Sequence, residues 1–155
     1  MERLPYIDAH GVEVAADAGP AWAALVRVVG GSFGGTGSSW VGRLLGVHPR
    51  TPRGPWSPTP GATGAGPAAG AALPGFTVDR VRPGGLLSLR GRHRFSRYRL
   101  DLELVAAEPG RSWVWARTWA EFPGAAGAAY RAFVIGTGGH AVAVRRLLRH
   151  VAAAA

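Results

Sequence analysis

His140 stands inside the apolar stripe that closes the chain, and it is the side chain of that stripe able to exchange a proton near neutral pH. There an imidazole can act as a general base tuned by burial, although a histidine so placed is more often a hydrogen-bonded core residue. Arg117 lies among Trp113, Trp115, Trp119 and Glu121, where a guanidinium could polarise a carbonyl, and Tyr98 and Tyr130 carry hydroxyls suited to proton transfer. His140 and Arg117 are therefore the candidate catalytic residues. Other chemistries are poorly supplied. With no cysteine there is no disulfide, thiolate metal site or cysteine nucleophile. The five histidines, at 10, 48, 93, 140 and 150, show neither an i, i+4 pair nor H-E-x-x-H, so no metal site is assigned.

Two glycine-rich stretches imitate phosphate-binding motifs. Phe133-Val134-Ile135 followed by Gly136-Thr137-Gly138-Gly139-His140-Ala141 matches G-x-G-x-x-A after an apolar run. A dinucleotide fold needs a second parallel strand with an acidic residue about 20 positions on, and no acidic residue follows Glu121. The glycines then serve close helix packing or a bend beside a cavity. Residues 30–37 lack the lysine and spacing of a P-loop and make a better linker. No cofactor is expected.

The net charge of +9 is the kind of footprint nucleic-acid binders leave. All 18 basic residues are arginine, however, and they are dispersed amid abundant alanine and glycine, which points to coding bias and argues against nucleic acid as the partner. Residues 125–144 approach the length of a membrane span, yet Arg131, His140 and several glycines interrupt them, so no span is expected. Met1-Glu2-Arg3-Leu4-Pro5 lacks the pattern of an export signal, and the expected location is cytoplasmic. A chain of 155 residues makes one domain, 1–155, able to bury roughly two thirds of its unfolded surface.

These side chains must be positioned by a mixed set of elements. Residues 6–15 alternate as a first strand, and Pro20 suits the first turn of a helix carrying Trp22, Leu25, Val26 and Val29 and stopping at Gly30-Gly31. Ser38 caps a second short helix with Trp40, Val41, Leu44 and Leu45. Residues 49–72, rich in proline and glycine, form an exposed loop. The period then becomes two: residues 76–81, 86–92, 98–104 and 112–122 read as strands. With a turn near Phe95-Ser96, the outward Arg90 and Arg92 should lie across from Asp101 and Glu103. Both faces of residues 112–122 are apolar, one with Trp113, Trp115 and Trp119 and the other with Val114, Ala116 and Ala120, and periodicity does not choose between them. From Tyr130 to Val151 the stripe 130, 133, 134, 137, 141, 144, 148, 151 predicts one long closing helix.

This α+β order resembles the START-like superfamily of polyketide cyclases, lipid-transfer domains and pollen allergens. Gly91-Arg92-His93-Arg94-Phe95-Ser96-Arg97-Tyr98, Phe122-Pro123-Gly124, Tyr130-Arg131 and Gly136 to His140 are similar to local signatures of an actinobacterial branch. The resemblance spans nearly the whole chain. It implies a helix-grip fold, a curved antiparallel sheet wrapped around a long C-terminal helix, with two short helices after the first strand. It also implies a cavity for a hydrophobic small molecule but no universal catalytic motif. The expected ligand wall is Tyr98, Leu100, Leu102, Trp115, Trp119, Tyr130, Phe133 and Thr137. The protein would be a cyclase or aromatase-like enzyme, or a non-catalytic carrier or sensor. A closed core would instead suit protein interaction, and an outward tryptophan face a homodimer.

Overall fold

Among the described residues the chain forms six strands, β1 (Tyr6–Val14), β2 (Ala72–Leu73), β3 (Phe76–Arg82), β4 (Leu86–His93), β5 (Ser96–Ala106) and β6 (Ser112–Glu121), all but β2 marked by alternation of apolar and polar residues. The computed structural model describes residues 4–34, 67–73, 75–93 and 95–155. All strand pairs are antiparallel, in the order β1-β6-β5-β4-β3-β2. The first strand thus pairs with the last. Register shifts at Tyr6/Asp8 and Val78/Arg80 bend the two outer regions of the sheet. The predicted second helix, around residues 38–45, and most of the 49–72 loop lie outside the described residues. The loop's described end holds the short strand β2, which periodicity did not reveal.

Helix α1 (Ala18–Gly34) begins after Asp17, whose carbonyl accepts from Ala21 N at 3.0 Å while its side chain accepts from Gly110 N at 2.7 Å. The helix runs on through Gly30-Gly31, where a stop was expected. Glycine weakens a helix by about 1 kcal/mol relative to alanine, but Val29 and Gly30 are buried and packing outweighs propensity.

The closing segment is not one helix. It divides into α2 (Gly124–Arg131), a π-helical turn (Ala132–Gly136) and α3 (Gly139–Ala154). Gly138, at φ 74°, adopts a left-handed conformation that ends the predicted periodicity. Only the part beyond this break keeps its stripe, with Val144, Leu147, Leu148 and Val151 buried. Leu25, Val26 and Val29 of α1 and the inward leucines of β4 and β5 complete the core.

The sheet resolves the ambiguous faces of β6. Ser112, Val114, Ala116, Thr118 and Ala120 are buried inward, and Trp113, Trp115, Arg117, Trp119 and Glu121 stand on the outer face, half-buried. There Trp113 and Trp115 stack with ring centroids 5.7 Å apart, and the Arg99 guanidinium lies 4.1 Å from the Trp119 centroid. The β4 arginines also pair otherwise than expected. Arg90 sits opposite Arg99 and reaches Asp79 of β3 at 3.3 Å, while Asp101 accepts from Ser88 at 2.6 Å and Glu103 pairs with Arg117. The pairing of His93 with Ser96 fixes this register.

Tyr98 faces the core directly opposite Gly91, with its ring over the glycine. A Cβ on Gly91 would lie 2.0 Å from the ring and 2.4 Å from the Gly75 carbonyl oxygen. Gly91→Ala should therefore destabilise the protein by about 1–3 kcal/mol through overpacking. Urea unfolding measures this, and an unchanged midpoint would show that the ring moves aside freely.

Candidate functional site

Small inward residues on β6 leave space that the large ones opposite do not fill. Thr118 and Ala120 form the floor beside Tyr98 and Leu100 of β5, and α3 crosses above with His140, Ala143, Val144 and Leu147. These four α3 residues follow helical spacing and so share one face. Tyr130, Val134 and Ile135 close the side. The resulting cavity measures about 60 Å³ and is walled mainly by apolar groups. A cavity of about 150 Å³ takes up one benzene, so in this conformation less than a full ring is accommodated.

Of the predicted site residues, the fold brings Tyr98, Leu100, Tyr130 and His140 to this cavity. It separates the others. Leu102 is fully buried in the core, away from the lining. Trp115, Trp119 and Arg117 point to the outer face because strand alternation places them opposite Ala116, Thr118 and Ala120. Arg117 is occupied there by Glu103. Phe133 is 66% exposed and Thr137 is exposed, since the π-helical turn and Gly138 rotate the stripe away from the core. Thr137 Oγ1 donates to the Phe133 carbonyl.

Reading the sequence missed Asp8 and His10. Ordinary strand alternation turns both to the inner face, opposite Thr118 and Ala116 of β6, while the register shift between Tyr6 and Asp8 leaves Tyr6 opposite Trp119 on the outer face. Asp8 Oδ2 lies 3.1 Å from His10 Nε2, and Asp8 Oδ1 lies 3.4 Å from His140 Nε2, which is 3.0 Å from Thr118 Oγ1. Asp8 Oδ1 is buried, and its 3.4 Å approach to His140 Nε2 is a long polar contact at ion-pair range. Alternation in residues 6–15 was visible, but the separation of more than 130 residues between Asp8 and His140 left no local signal of their meeting.

Burial raises the Asp8 carboxyl, yet hydrogen bonding and charge from His140 and His10 outweigh it and hold the group below the usual carboxylate range. Burial also pushes the Tyr98 hydroxyl far up, with Tyr130 adding to the effect, and burial raises Tyr130. Both phenols are neutral at physiological pH. The Tyr98 hydroxyl already donates to Gly75 O at 2.7 Å, and its ring meets Phe76 edge-on. The described cavity lining includes one imidazole, His140, which reaches Asp8 and through it His10. Among the described residues no group of three or more potential metal ligands is arranged to hold an ion.

Solved structures share this architecture. Norcoclaurine synthase from Thalictrum flavum aligns over 96% of this chain and 95% of its own at 13% identity and a TM-score of 0.52. A conserved protein from Geobacillus kaustophilus aligns over 93% and 91% at 14% identity, with a TM-score of 0.52. The chain has the helix-grip fold. A point mutant of the Thalictrum enzyme in complex with a transition state analogue aligns over 96% and 97%, at 14% identity and a TM-score of 0.51. At such identities the helix-grip likeness describes the fold alone. No protein-family model and no curated protein matches the chain. Among the described residues no helix is long and apolar enough to cross a membrane.

The depressed Asp8 carboxyl sets a pH dependence. Its stabilisation is complete above the unfolded carboxylate value of about 3.9 and is lost as pH falls through the lower folded value. Asp8→Asn should flatten the fall of the urea midpoint on the acid side below about pH 4. Parallel wild-type and variant profiles would count against this coupling.

Proposed function

We propose that the protein binds a small hydrophobic molecule between its sheet and α3, and that it acts on this ligand as a cyclase or aromatase-like catalyst. The observation that carries the reading is a largely apolar cavity with His140 in its wall, beside Thr118 and with Asp8 behind it. Apolar walls supply affinity, and the polar end supplies orientation and proton transfer. A solved norcoclaurine synthase variant of this fold holds a transition state analogue, which supports catalysis as one use of such a scaffold.

Anything larger than part of a ring requires a wall to move. The segment from Gly124 to Gly138 supplies Tyr130, Val134 and Ile135 to the cavity. Both bounding glycines are left-handed, with φ 74°, and α2 packs chiefly against the π-helical turn that follows it. We assign ligand entry to displacement of this segment. The second reading is a non-catalytic carrier, favoured by the use of the Tyr98 hydroxyl on Gly75 and by the outward placement of Arg117.

Native mass spectrometry of the purified protein tests binding through a co-purifying apolar molecule. Ala143, 4% exposed on the cavity wall, offers a control. Ala143→Leu should lower affinity for such a ligand at least tenfold while preserving the circular dichroism spectrum; unchanged affinity would place the ligand elsewhere. With a turned-over ligand, His140→Ala should preserve binding and abolish turnover, whereas the carrier reading predicts that wild type and variant both release the ligand unchanged.

A further inference from the structure

Charge is unevenly divided between the sheet and the helices that close the chain. The sheet holds matched pairs: Arg97 with Glu121, Arg99 with Asp101, Arg111 with Glu13, Arg117 with Glu103, and both Arg80 and Arg90 with Asp79. Residues 124–155, by contrast, carry Arg131, Arg145, Arg146 and Arg149 and contain no acidic side chain. Coding bias accounts for arginine in place of lysine but not for this placement. Val142, Arg145, Arg146 and Arg149 follow three-and-four spacing, so they share the outward face of α3, opposite the buried Val144, Leu147, Leu148 and Val151. All four outward residues are exposed. Arg145 leans toward β1, with Nε 3.4 Å from His10 Nδ1.

A row of arginines on a helix is ordinarily a solvated face. This one differs in the apolar surface at its N-terminal end. Phe133 is 66% exposed and Val142 is 59% exposed, on either side of the left-handed Gly138. Phe133 has no place in the core, because Val134 takes the buried position of the π-helical turn. Arg131 and Phe133 both belong to the segment to which ligand entry is assigned. Exposed apolar side chains among unmatched positive charge suit the boundary of an anionic bilayer, where an aromatic ring enters the acyl region and guanidinium groups remain at the phosphates. A nucleic acid offers the phosphates but no apolar layer for Phe133.

We infer that the outward surface of this C-terminal layer, Phe133 and Val142 with Arg131, Arg145, Arg146 and Arg149, docks on an anionic lipid surface. Docking in this orientation sets the segment between Gly124 and Gly138 against the bilayer, a reservoir of hydrophobic small molecules. The surface stands apart from the cavity reading, since affinity for a lipid surface requires no bound ligand.

Co-sedimentation of the full chain with lipid vesicles tests this docking. Vesicles of phosphatidylglycerol mixed with phosphatidylcholine should bind the protein about tenfold or more tightly than phosphatidylcholine alone, and the affinity should fall as salt is raised. Arg131→Gln and Arg149→Gln should each weaken binding about fivefold. Phe133→Ser should weaken it about tenfold, whereas Val105→Ser, at a 45% exposed site on the sheet, should leave it unchanged. Val142→Ser repeats the apolar test if Phe133→Ser does not fold. Equal binding to both kinds of vesicle, or binding to neither, would overturn the assignment. So would a folded Phe133→Ser or Val142→Ser variant that binds the anionic vesicles as wild type does, because charge alone would then act and a nucleic acid would serve as well. A co-purifying apolar molecule, read by native mass spectrometry, decides the cavity separately from this surface.

Discussion

The inward row Val114, Ala116, Thr118 and Ala120 on β6 is the constraint on which the rest of the molecule depends. β6 lies between β1 and β5, so its side-chain volumes set how closely α3 approaches the middle of the sheet. Small residues at 118 and 120 leave the gap that becomes the cavity, and Thr118 gives that gap a polar atom. The same alternation sends three tryptophans and Arg117 to the other side. There they cover one another and their charged neighbours, half-buried, without entering the cavity.

Close glycine contacts adjust this arrangement on both faces. The Tyr98 ring occupies the space over Gly91 on the inside, and Trp115 covers Gly11 on the outside, where a Cβ would lie 2.8 Å from the indole. Each pairing lets a large ring lie flat across a neighbouring strand. Tyr98 becomes a fixed wall, since its hydroxyl is bonded to Gly75 and its ring is held by Phe76. Proton chemistry is thereby concentrated at the opposite end, where burial and nearby histidines act on Asp8 in opposing directions.

Legibility followed the range of the responsible interaction. The strands at 76–81, 86–92, 98–104 and 112–122 and the first helix were visible because alternation and helical stripes are local patterns, whereas the helix-grip arrangement came from the family resemblance. Tyr98, Leu100, Tyr130 and His140 were placed at a common cavity by those patterns together with the fold resemblance. Phe133 and Thr137 failed for a backbone reason: the stripe counts 3.6 residues per turn, and the π-helical turn followed by left-handed Gly138 breaks the count.

From composition and period alone came the order of strands and helices, the absence of thiol chemistry, the poverty of metal-ligand spacing and one proton-exchanging residue in the closing stripe. Tertiary structure alone decided which face of β6 turns inward, because both faces are apolar and only packing against α3 and α1 distinguishes small residues from large. It also brought Asp8 and His10 to His140. Their meeting depends on pairing the first strand with the last and on laying α3 across that first strand, and neither leaves a mark in any short window of residues.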